Sequence, residues 1–224
     1  MNSLSLDQKT YVDQILRKSG VPPRYLPHSF DNFEVNDKTG KAFEVAKEWA
    51  ALKSPKDRGF ALLGAPGVGK THLAVAGLRE IARLWADERK EEEAADLYVP
   101  PSDMIERRMR FINVPIFMDQ LREAMKFSES SVRELWQYCL NDASVVVLDD
   151  FGKEKATDWV TERLYVLIES RYQNLLSTIV TTNRTLDELD DLGYGAAVSR
   201  LQETGRVVRT DAKDYRPELG VKNR

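Results

Sequence analysis

The chain has 224 residues, 42% hydrophobic and 31% charged, a composition that excludes an intrinsically disordered polypeptide. One cysteine, Cys139, and two histidines, His28 and His72, cannot build a disulfide framework or a four-ligand zinc site. A formal charge of −3 gives no global attraction to nucleic acid, so any DNA contact must be local.

The length suits one compact domain with a core that needs no staple. No apolar run approaches the roughly 20 residues that span a bilayer, and the polar N-terminus lacks the pattern of a secretory signal. A cytoplasmic location without a membrane partner is expected. Ser5 and Gln8 fit a capping box, Leu6, Val12, Ile15 and Leu16 make an apolar stripe, and Gly20 before Pro22 stops this first helix. Residues 21–33, with Pro22, Pro23 and Pro27 among Tyr25, Phe30 and Phe33, read as an extended strap laid on a core. A helix over about 39–52 follows from the spacing of Ala42, Phe43, Ala46, Trp49 and Ala50, and residues 55–59 end it.

Strand-like runs at 60–63, 114–118, 144–148, 178–182 and 206–209 then alternate with helical patterns. Such alternation predicts an α/β fold with a mostly parallel five-stranded sheet flanked by helices. Residues 86–110 break the rhythm as a charged insertion. They fit a solvated helix end and loop, or, through Arg107, Arg108 and Arg110, a nucleic-acid contact. Residues 1–54 are assigned to an N-terminal extension and strap, and 55–224 to the core.

Gly64, Ala65, Pro66, Gly67, Val68, Gly69, Lys70 and Thr71 satisfy the pattern G-x-x-x-x-G-K-[ST] between a predicted strand and a helix beginning near His72. Glycines let backbone N–H groups turn inward around a phosphate, and the helix N-terminus faces the same anion. Lys70 meets the β- and γ-phosphates and Thr71 ligates Mg²⁺, so ATP with Mg²⁺ is the expected cofactor. The strand at 144–148 ends in Asp149, suited to the Mg²⁺ shell, and Asp150, suited to act as general base. The strand at 178–182 ends in Asn183, which can hold the attacking water or a phosphate oxygen, or can form a turn.

These motifs, with the run from Glu169 through Arg171 and with Ser199, Arg200 and Leu201, resemble AAA+ P-loop ATPases of the bacterial helicase-loader group, DnaC and DnaI. The related IstB transposition ATPases look similar too. The resemblance implies ATP hydrolysis in DNA replication, with a replicative DnaB-type helicase and single-stranded DNA as partners. It implies that Arg200 is an arginine finger reaching a neighbouring subunit, so that the chain self-associates through that surface, and that Arg216 is a sensor-like arginine at the nucleotide. Arg171 fits either a nucleotide-site residue or an ion-pair partner. After residues 114–118 this group places a DNA-facing helix, here Phe117, Leu121, Ala124 and Met125 with Arg122 and Lys126. An ordinary core helix with a basic edge fits the same pattern. About 40 residues follow Asn183, so a full C-terminal helical lid is not expected. An IstB-like target selector and a non-hydrolysing ATP-switched adaptor are the alternatives.

Overall fold

The computed structural model describes residues 6–51, 59–94, 108–127, 130–210, 212 and 214–215. The Ser5 cap, residues 55–58, Arg107 with the rest of 95–107, and Arg216 lie outside the described residues.

Helix α1 (Leu6–Lys18) buries Val12, Ile15 and Leu16, and it stops where predicted. Gly20 at φ 88° lets its own N–H reach Arg17 O and the next N–H reach Leu16 O, each at 3.0 Å. Helix α2 (Gly40–Ala51) buries Ala42, Ala46, Trp49 and Ala50 as its spacing requires. Strand β1 (Phe60–Gly64) leads through the glycine-rich loop into α3 (Lys70–Ala94). The chain continues as β2 (Met109–Asn113), α4 (Val114–Phe127), α5 (Ser130–Asn141), β3 (Val145–Asp149) and α6 (Asp158–Gln173). Strand β4 (Ser177–Thr182), the short α7 (Leu186–Leu189), a widened turn Asp190–Tyr194, α8 (Gly195–Thr204) and β5 (Arg206–Thr210) complete it. Among the described residues no helix follows β5.

The second strand is not where the apolar run at 114–118 suggested. Residues 109–113 form β2, and 114–118 open α4 instead. The Asn113 side chain accepts from Ile116 N at 3.4 Å, and Pro115 sits in the first turn, where its missing N–H costs nothing. Val114, Phe117, Met118, Leu121 and Ala124 are buried, a helical rather than a strand period. The charged stretch at 86–94 likewise continues α3, with Ala86 buried, and Arg110 belongs to β2, so both ends of the predicted insertion are regular structure. Arg108 lies over the Trp85 ring at 5.6 Å and Arg110 over the Tyr138 ring at 5.0 Å.

All strand pairs are parallel, in the order β2-β3-β4-β1-β5. One apolar cluster joins α1, α2 and α3 to one sheet face, and the other joins α4, α5, α6 and α8 to the opposite face. Two strands at the sheet's centre, β1 and β4, carry the glycine-rich loop and Asn183 beyond their carboxyl ends. On the edge strand, Phe111 N donates to Ser19 O at 2.8 Å, so the end of α1 covers part of an open ladder.

The strap is not extended throughout: Pro23–Tyr25 and Phe30–Asn32 are single 3-10 turns. It is fastened to α3 at two levels. Arg79 donates to His28 O at 3.0 Å, to Leu26 O and to Asp13 Oδ1 at 2.8 Å. The His72 ring stacks on His28 with centroids 4.1 Å apart and 6° between planes. Burial first, then His72, Arg24 and Arg79, pull the His28 pKa down to about 4, and burial also lowers that of His72. The unfolded chain takes up a proton near pH 6.5 that the folded chain refuses, so this stability is complete above pH 6.5 and is lost as pH falls toward about 4. Urea unfolding midpoints measured at pH 7 and pH 5 are expected to fall more in wild type than in His28→Asn; equal falls would contradict the neutral stacked pair.

Candidate nucleotide site

The glycine-rich loop takes its shape from backbone that other residues adopt only under strain. Gly67 and Gly69 have φ of 80° and 92°. A Cβ on Gly64 would lie 2.1 Å from Thr210 O of the neighbouring β5, so that position admits no side chain. Lys70 is a buried residue, and its ammonium donates to Gly64 O and Ala65 O at 2.7 Å each and to Asn183 Oδ1 at 2.8 Å. Three bonds to neutral oxygens hold a cation beside the glycine-rich loop, an arrangement complementary to a polyanion. Val68 is buried, while Ala65 and Pro66 are exposed.

Asp149, at the end of β3, is 1% exposed. Its Oδ1 accepts from Thr71 Oγ1 and from Thr181 Oγ1, each at 2.7 Å. Burial raises the Asp149 pKa against the lowering effect of these two hydroxyls. A divalent cation would favour the carboxylate, and a paired hydroxyl and carboxylate are hard oxygen donors that suit Mg²⁺. Among the described residues no group of three or more His, Cys, Asp or Glu could hold a metal by itself, so phosphate oxygens and water must complete such a shell. Asp150 has φ 61° and is partly exposed; its N–H donates to Thr181 Oγ1 at 3.1 Å, and Lys153 Nζ lies 3.3 Å from its Oδ2.

No family model matches the chain. The phage-like element PBSX protein XkdC of Bacillus subtilis is 28% identical, over 80% of this chain and 62% of XkdC. The replicative helicase loader DnaI of Bacillus subtilis is 25% identical, over 82% of this chain and 53% of DnaI. The chain therefore spans between about half and just under two thirds of these curated relatives. The crystal structure of the DnaC helicase loader superposes with a TM-score of 0.64 and 26% identity, covering 85% of this chain and 100% of that one. The fold is the AAA+ P-loop fold. A structure of the replication initiator DnaA bound to AMPPCP and single-stranded DNA shares it at a TM-score of 0.57 and 20% identity, over 90% of this chain and 55% of DnaA.

Within this AAA+ core, Lys70, Thr71, Asp149 and Asn183 come together, although Lys70 and Asn183 lie 113 positions apart. Arg200 belongs to another cluster. On α8 its Nε donates to Glu169 Oε2 at 2.7 Å, and its guanidinium lies 5.1 Å from the Tyr172 ring centroid. Arg171 fills neither role weighed for it. Fully buried, it donates to Thr178 Oγ1 at 3.0 Å and to the carbonyls of Cys139, Ala143 and Ser177 at 2.6, 2.8 and 2.6 Å. The imidazole of His72 bonds Ser29 O and Asn32 Oδ1 at 2.9 and 3.0 Å, which commits the side chain to the strap and leaves only its backbone N–H for a phosphate.

On α4, Phe117, Leu121 and Ala124 are core, Met125 is exposed, Arg122 lies over the Trp159 ring at 5.4 Å and Lys126 pairs with Glu123 at 2.7 Å. The apolar half of the pattern is core, and the basic residues of its outer edge lie beside Asp119 and Glu123 of the same helix.

One feature escaped the sequence: Thr181 supplies the second hydroxyl on Asp149, a role hidden inside a β-branched strand run. Asp214 and Tyr215, the neighbours of Arg216, lie at the loop: Tyr215 N donates to Gly67 O at 3.2 Å, Asp214 packs where a Gly67 Cβ would stand, and Asn36 Nδ2 donates to the Tyr215 hydroxyl.

Proposed function

We propose that this chain is an ATP-hydrolysing AAA+ protein of DNA replication that loads or remodels a DnaB-type ring helicase on single-stranded DNA. The observation that carries the reading is the convergence of Lys70, Thr71, Asp149 and Asn183 around one glycine-rich loop. Similarity to DnaC and DnaI supports the replication role; the IstB-like alternative rests on motif resemblance alone. Among the described residues no helix is long and apolar enough to cross a membrane. Residues 1–54 serve as extension and strap, and 55–224 as the nucleotide-binding core.

Loop N–H groups from Gly67 to Thr71 and the N-terminus of α3 receive the phosphates, and Lys70 exchanges its loop carbonyls for their oxygens. Thr71 and Asp149 would hold Mg²⁺, which when bound neutralises charge on the β- and γ-phosphates. Asn183 orients the water and Asp150 accepts its proton, once Lys153 yields the carboxylate. Arg200 leaves Glu169 to reach the phosphoryl group of an adjoining copy, which makes turnover depend on self-association. Arg216 adds a second cation to the nucleotide.

Phosphate release by the purified chain, with and without a DnaB-type helicase and single-stranded DNA, tests the reading. Asp150→Asn is expected to cut turnover by about a hundredfold, in the range of general-base loss, while retaining ATP binding. Undiminished turnover in that variant would sink the catalytic assignment. A helicase that crosses onto closed single-stranded circles equally well without this chain would sink the loader role.

A further inference from the structure

The turn that presents Asp150 is held by more than β4. Asp150 at φ 61° occupies the left-handed region, which costs a non-glycine residue about 1 kcal/mol and persists only where neighbours enforce it. From β4, Thr181 Oγ1 accepts from Asp150 N, Thr181 O accepts from Phe151 N at 2.9 Å, and Thr182 Oγ1 donates to Phe151 O at 2.6 Å. On the other side both carboxylate oxygens of Glu154 accept from Gly152 N at 3.1 Å, and Tyr194 OH donates to Glu154 Oε1 at 2.5 Å. The Tyr194 ring is 1% exposed and packs on Phe151 with centroids 4.9 Å apart. Burial and Glu154 push the Tyr194 phenol well up, so it stays a donor at neutral pH. Tyr194 directly precedes α8, the helix that carries Arg200 six positions on.

We propose that Tyr194 and Glu154 are positioning residues that tie the start of α8 to the Asp150 turn, so that engagement of the Arg200 surface in one copy adjusts Asp150 of that same copy. The assignment rests on reading Asp150 as the general base. A rigid buried phenol is a suitable strut because its length is fixed and its ring is clamped against the turn it supports. A helix that rotates when a neighbour docks would pull the Tyr194 hydroxyl from Glu154, release Gly152 N and let Asp150 relax out of its left-handed conformation.

The test compares Tyr194→Phe, which keeps the ring and removes one hydroxyl, with Asp150→Asn and wild type. Steady-state hydrolysis, binding of a fluorescent ATP analogue and amide hydrogen exchange over residues 150–154 are measured. Tyr194→Phe is expected to lower kcat about tenfold with KM and analogue affinity within about twofold, and to speed exchange at Gly152, since a misplaced base loses rate rather than binding. Wild-type kcat together with unchanged exchange would overturn the proposal. So would a loss of binding and melting temperature in proportion to kcat, which marks a packing role only. If Asp150→Asn turns over like wild type, or wild type does not turn over even with a DnaB-type helicase and single-stranded DNA present, the base assignment fails by itself. Exchange at Gly152 then decides the strut: faster in Tyr194→Phe supports it, unchanged removes it.

Discussion

Lys70→Ala is expected to lower ATP affinity by a hundredfold or about that, measured by calorimetric titration against wild type. The ammonium donates hydrogen bonds to Asn183 Oδ1 and to two carbonyls of the loop proposed to receive phosphate. It is thus pre-placed at the anion site, with little ordering left to be done on binding. Charge-assisted hydrogen bonds contribute about 1.5–3 kcal/mol each, and two such bonds to phosphate oxygens account for the estimated loss. Alanine also leaves Gly64 O and Ala65 O without the cation that draws the loop together. Lys70→Arg should fail as well, because a planar fork cannot reproduce three bonds radiating from one nitrogen. Affinity retained in Lys70→Ala would mean that nucleotide, if bound at all, sits elsewhere.

Arg171→Leu is expected to cost about 3–5 kcal/mol of folding stability, read from urea denaturation at pH 7. The guanidinium donates to carbonyls at the end of α5, between α5 and β3, and at the start of β4, where Ser177 O accepts at 2.6 Å. Leucine fills part of the volume but leaves several buried acceptors without a donor, each at a cost of about 1–3 kcal/mol before relaxation. Burial lowers the Arg171 pKa to about 10, which still keeps it protonated at pH 7. At a total stability typical of domains, such a loss leaves a marginal fold. ATP affinity of the folded fraction is expected to be unchanged. A fall in affinity with unaltered stability would return Arg171 to the nucleotide site.

These two residues show what could be read early and what could not. Lys70 was legible because the loop is local: eight consecutive residues carry the glycine turn, the cation and the hydroxyl, even though the partners they meet, Asn183 and Asp149, come from distant strands. Asp149 was legible for a related reason, since an apolar parallel strand points its last residue to the edge where ligands collect. Arg171 was not. Its partners are main-chain carbonyls, which every residue possesses, so no neighbouring side chain in the sequence signals that they are there. Residues 114–118 misled because five apolar residues fit either a strand or a buried helix face. The deciding contact, Asn113 Oδ1 with Ile116 N, is a capping geometry rather than a composition.

The sequence by itself determined the glycine-rich loop, four of the five parallel strands and the acids that end one of them, because each follows from period, spacing and side-chain chemistry within a short run. The tertiary structure alone decided that Lys70 meets Asn183, that His72 serves the strap, and that the Tyr194 hydroxyl meets Glu154 beside the Asp150 turn. Those pairings join residues tens to more than a hundred positions apart, and only the packing of both sheet faces brings them within hydrogen-bond reach.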